Sequence, residues 1–71
     1  MHRSYYVAVI RHDKVWSDEA RTFHWIETET NQYGRPMDAK FKADELNDEH
    51  RTPTRFYSAR MKWLNGTNRN E

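Results

Sequence analysis

The sequence predicts a small α+β domain of order β-β-α-β: a three-stranded antiparallel sheet, strand order 2-1-3, with one helix packed on one face. Three observations carry this. Residues 54–64, Thr-Arg-Phe-Tyr-Ser-Ala-Arg-Met-Lys-Trp-Leu, alternate with a period of two, the pattern of a half-buried strand. Residues 4–11, Ser-Tyr-Tyr-Val-Ala-Val-Ile-Arg, are β-rich and almost wholly apolar, as expected of a central strand covered on both faces. Between them, Ala39, Ala43, Leu46 and His50 recur at helical spacing in an acidic segment.

The first strand is expected to end at Arg11, because His12-Asp13-Lys14 follows and Asp favours turns by bonding its own backbone. Residues 15–30 admit two readings. A second strand at about Arg21–Thr28 is rich in aromatic and β-branched residues. The rival is a helix capped by Ser17, with Asp18 and Glu19 in its first turn and Ala20, Phe23 and Ile26 as its stripe. Trp25 falls outside that stripe, which favours the strand. Asn31 to Pro36 reads as a loop, with Gly34 and Pro36 as punctuation. Asp38 then caps a helix to about His50 whose narrow stripe of mostly small residues requires close approach to a sheet. Thr52-Pro53 ends it, and the last strand follows with Tyr57, Ala59, Met61 and Trp63 inward and Thr54, Phe56, Ser58, Arg60 and Lys62 outward. Asn65-Gly66 marks a turn. Residues 1–66 form the domain, and 67–71 a polar tail expected to be disordered.

Seventy-one residues allow one domain with a thin core. There is no Cys, so no disulfide and no thiolate metal site. Small secreted domains usually carry disulfides, which favours an intracellular, cytoplasmic protein. No apolar run approaches the roughly 20 residues of a membrane span, and the strand-like N-terminus does not read as a signal peptide. Charged residues make up 32% and apolar ones 35%, near the polar limit for folding alone, while an aromatic content of 14% counters disorder. A homodimer would supply missing core. The net charge of +1 hides a segregation by element. Residues 36–50 carry five acids against Lys40 and Lys42, whereas 51–64 carry Arg51, Arg55, Arg60 and Lys62 with no acid.

The four histidines are scattered without metal-ligand spacing and read as surface or edge residues, so no metal and no cofactor is expected. Ser4, Ser17 and Ser58 sit in no nucleophile context and no Gly-rich phosphate loop exists, so the chain does not read as an enzyme. Two surfaces remain. On the helix, Asp44, Glu45, Asp48 and Glu49 form like-charged i, i+4 pairs, which weaken an isolated helix and are tolerated where function uses them. Phe41 lies about 160° from the apolar stripe, either packed inside a later-starting helix or exposed between Lys40 and Lys42 as an interface anchor. On the last strand, Phe56 beside Arg60 and Lys62 makes a candidate nucleic-acid surface, extended by Arg3, Arg11 and Arg55 if they share its face. It lacks the glycines and repeated aromatics of ribonucleoprotein-type strands. Trp16, Trp25 and Tyr33 are further candidate anchors, but in a chain this small each Trp reads first as core.

Short, Cys-free and charge-dense, with a few strands and one helix, the whole chain resembles in style the small accessory proteins encoded by phages and other mobile elements. That resemblance implies a protein that binds and blocks or redirects a host protein, itself in some cases a nucleic-acid-binding protein or complex. The expected function is a non-enzymatic protein–protein binding module, an inhibitor or regulator acting through the acidic helix and Phe41. The alternative is nucleic-acid binding through the last strand.

Overall fold

Tyr5 opens a strand that runs unbroken to Ser17 (β1), beyond the stop expected at His12-Asp13-Lys14. Asp13 does not bond its own backbone. Its carboxylate accepts from Arg11 at 2.9 Å and Arg55 at 2.6 Å, so its turn tendency goes unused. The computed structural model describes residues 4–64, and three further elements follow β1: β2 (Thr22–Tyr33), α1 (Pro36–His50) and β3 (Arg55–Trp63). The sheet is antiparallel in the order β2-β1-β3, as the sequence predicts. Arg3, the Asn65-Gly66 turn and the tail lie outside the described residues.

Residues 15–30 belong to a hairpin, and no helix starts at Ser17. The hydroxyl suited to a helix cap instead closes the turn. Ser17 Oγ accepts from the Ala20 N–H at 3.1 Å, and Ser17 O from the Arg21 N–H at 2.8 Å. Arg21 takes the left-handed conformation at φ 57°. Trp16 Nε1 donates to Asp18 at 2.8 Å and braces the same loop.

β2 extends past Thr28 to Tyr33 because a bulge absorbs one residue and lets pairing resume. Ile10 faces Glu29 and Val9 faces Asn31, which leaves Thr30 extra, its hydroxyl donating to Val9 O at 3.3 Å. The expected loop shrinks to Gly34 and Arg35. Arg35 is extended (φ −119°, ψ 137°), as a residue before proline must be, and Pro36 opens the helix where its missing N–H costs nothing. Asp38 is therefore not the cap. It sits in the first turn, favourable to the helix dipole, and pairs with Arg35 at 3.4 Å.

The core forms where α1 crosses β1. Ala39 and Ala43 are buried against Val7 and Val9, with Tyr5, Tyr33, Leu46 and Tyr57 at the margin. Their methyl side chains let the helix axis approach the sheet. Ala8 and Ile10, on the opposite face, are also buried, so β1 is covered on both sides as expected. The inward face read for the last strand is corrected. Tyr57 is partly buried, but Ala59, Met61 and Trp63 are exposed because one helix does not reach across to that end of β3. The expected helix stripe stops short of His50, which is exposed, and Trp16, Trp25 and Trp63 are all outside the core. The Cα trace is a thin slab, 47 × 31 × 12 Å.

Because close approach depends on a methyl group, Ala43→Leu is expected to destabilise the fold by about 1–3 kcal/mol. Urea unfolding followed by circular dichroism reads this as a lower midpoint with an unchanged slope.

Candidate functional site

The outer face of α1 carries the residues singled out as a protein-binding site. At about 100° per residue, Met37, Phe41, Asp44, Glu45 and Asp48 share a sector opposite Ala39 and Ala43. Phe41 is 65% exposed and Met37 66%, so Phe41 is surface and not core. Two of the acids around them are partly neutralised from the flanks: Lys40 lies 3.7 Å from Asp44 and Lys42 3.6 Å from Glu45. These i, i+4 and i, i+3 pairs offset part of the like-charge repulsion expected from the sequence. Among the described residues Asp48 makes no ion pair.

The second surface is the open face of the sheet, opposite the helix. Phe56, Arg60 and Lys62 all point there, but the structure employs the first two. Arg60 grips Glu27 in a bidentate pair at 2.6 and 2.7 Å. Phe56 stacks on His12, ring centroids 4.3 Å apart and planes 5° apart, and takes the edge of Trp25 at 5.2 Å. Arg11 and Arg55, expected as extensions of this basic surface, lie on the other face and are held by Asp13.

The sequence reading missed the aromatic half of this face. Trp16 and Phe23 meet edge-to-face at 5.0 Å, and Lys14 Nζ sits 4.8 Å from the Phe23 ring centre. His12, Lys14 and Trp16 alternate along β1, as Phe23 and Trp25 do along β2. That period-two signal was available once β1 continued past Asp13. His12 corrects the expectation of surface histidines, being only 7% exposed.

Ser58, His12 and Glu27 adjoin in sequence of contact. His12 Nε2 lies 2.7 Å from Ser58 Oγ, and its Nδ1 3.7 Å from Glu27 Oε2. The order matches a nucleophile, base and orienting acid, but the setting differs. Glu27 is committed to Arg60, Phe56 covers the imidazole, and the Ser58 N–H faces β1 in the ladder, so it is not free to stabilise an oxyanion. What the cluster can do is tie the three strands together. Among the described residues no three His, Asp or Glu side chains are grouped to hold a metal ion, and no helix is long and apolar enough to cross a membrane.

With this geometry established, comparison with known proteins adds nothing further: no family model, no curated protein and no solved structure matches the chain.

Two carboxylates carry the pH dependence. The hydrogen bond from Arg55 holds Asp13 below its ordinary value, aided by Arg11 and opposed by desolvation. Arg60 does the same for Glu27. Both folded pKa values are depressed, so this stabilisation is present above the ordinary carboxylate range and is lost as pH falls through the lowered values. Thermal stability is expected to fall progressively below about pH 4, and a variant combining Asp13→Asn with Glu27→Gln is expected to flatten that acid limb while lowering Tm at neutral pH.

Proposed function

We propose that this chain is a non-enzymatic protein-binding module that inhibits or regulates a host protein through the outer face of α1. The observation that carries this reading is Phe41, a large aromatic on the side of the helix farthest from the core, beside Met37 and ringed by Asp44, Glu45 and Asp48. At 65% exposure its ring takes no part in the buried core. A partner that desolvates it gains the burial energy of a full aromatic ring. The acids, with Glu49 beside them, suit a target whose surface is basic, including one that itself binds nucleic acid. Charge of this kind raises association rate and selects the partner, while the buried aromatic supplies more of the affinity.

The test is affinity capture from the source cell with the wild-type chain and with Phe41→Ala side by side, followed by calorimetry on what is captured. Phe41→Ala should leave folding stability within about 0.5 kcal/mol yet weaken binding by about 2 kcal/mol, roughly 30-fold. Reversing Asp44, Glu45, Asp48 and Glu49 to lysine should slow association. A partner held equally well by both variants overturns the reading.

One observation favours a second reading. Trp16, Phe23, Trp25 and Phe56 line the open face with Lys14 and Lys62, which suits base stacking on a single strand. Fluorescence anisotropy with single-stranded oligonucleotides should then show affinity that falls steeply with salt and is lost in Trp25→Ala. Absence of binding at low salt rejects it.

A further inference from the structure

The two outer edges of the sheet are treated differently. Lys14 N–H donates to Thr54 O at 2.9 Å and Leu64 N–H to Ser4 O at 3.0 Å, so even-numbered positions of β1 face β3 and odd-numbered ones face β2. Backbone alternation then turns the N–H and C=O of odd-numbered β3 residues outward. Toward the N-terminal end of that edge two contacts close it: Thr52 and Arg55 exchange backbone hydrogen bonds of 3.0 and 3.1 Å, and Asn47 Nδ2 donates to Tyr57 O at 2.9 Å while the Tyr57 N–H donates to Asn47 Oδ1 at 2.7 Å. The outward backbone groups of Arg55 and Tyr57 are thus taken, which leaves only the short stretch Ala59 to Trp63 of this edge.

β2 has no such guard. Its partners for the odd β1 positions are Thr22, His24, Ile26 and Thr28, so Phe23, Trp25, Glu27 and Glu29 present their backbone groups to solvent. Among the described residues no hydrogen bond from another element reaches those groups. The strand has 12 residues and contains no Pro, Lys or Arg, the residues by which long edges are usually blunted.

We infer that the free edge of β2 pairs antiparallel with the β2 edge of a second copy about a two-fold axis at Ile26. The regular stretch is bounded by the hairpin turn at Arg21 on one side and the bulge at Thr30 on the other, so Phe23 to Glu29 is available and Ile26 is its midpoint. Centring there places Ile26, 46% exposed, against its own copy. It sets Glu27 opposite Trp25 and Glu29 opposite Phe23, so no two acids face each other directly. The two Glu27 carboxylates meet only diagonally, and each is already neutralised by Arg60 of its own chain. Four facing pairs exchange about eight hydrogen bonds. The result is one six-stranded sheet in a closed, isologous dimer whose remaining edges are the two β3 strands, each closed at Arg55 and Tyr57. This surface is separate from the outer face of α1, so either proposal can fail without the other.

Sedimentation equilibrium on the full chain over roughly 10 to 300 µM should reveal a dimer, twice the 8.7 kDa of one chain. Glu27→Pro removes an N–H that β1 does not use and should give a monomer, folded by circular dichroism but with a lower Tm for losing the Arg60 pair. Ile26→Lys, which keeps every backbone group, should do the same if the proline variant fails to fold. The chain has no Cys, so oxidation of single-cysteine variants reports register. In a non-hydrogen-bonded pair facing Cα atoms are about 4.5 Å apart, within disulfide reach, so Ile26→Cys should cross-link readily and Thr28→Cys at least tenfold more slowly. A wild-type chain monomeric throughout, an Ile26→Lys chain still dimeric, or equal cross-linking at positions 26 and 28 overturns the inference.

Discussion

Val7 and Val9 meet Ala39 and Ala43 where the single helix crosses the central strand, and the rest of the chain is arranged around that contact. A helix about 10 Å wide cannot blanket three strands spaced about 4.8 Å apart, least of all a hairpin that runs on beyond it. Alanines bring the helix close enough to seal the middle of β1, at the cost of contributing little apolar surface themselves. Everything farther out must find another arrangement. Trp16 leans on Phe23, Trp25 on Phe56, and Tyr5 on Trp63, in edge-to-face contacts that shelter part of each ring without burying it.

Ion pairs link the strands where the core does not reach. Asp13 joins β1 to β3 through Arg55, and Glu27 reaches across β1 from β2 to Arg60 on β3. Both are cross-strand pairs between residues distant in the chain, so they stabilise the sheet as assembled and not any local segment. The same pairs quench the cations that made β3 look like a basic surface. A surface for phosphate needs uncommitted cations, whereas a protein-binding surface needs an apolar anchor with nothing covering it. Phe41 and Met37 meet the second requirement better than Arg60 meets the first.

The guarded and unguarded edges follow from where the helix lies. α1 descends beside β3, and one polar residue on its flank, Asn47, is enough to occupy the neighbouring backbone. No element descends beside β2. The chain thus offers two faces of different chemistry, an acidic helix carrying an aromatic and a strand edge carrying free amides.

The sequence by itself determined the central place of the Val7–Ile10 run and the alternation that puts Phe56, Arg60 and Lys62 on one face, and it favoured the observed element and strand order over a helix at residues 15–30. These depend on period and on local backbone preference, which neighbouring residues dictate. It misjudged where β1 stops and β2 ends. Asp13 was denied its turn by Arg55, 42 residues away, and a bulge at Thr30 restored a ladder that looked finished. Only the tertiary structure decided that His12 is buried, that Met61 and Trp63 are not, that Phe41 is outside, and that Arg60 is spoken for. Each depends on how far one helix can reach over three strands and on which charges the folded sheet brings within hydrogen-bond distance, and neither is written in the spacing of residues along the chain.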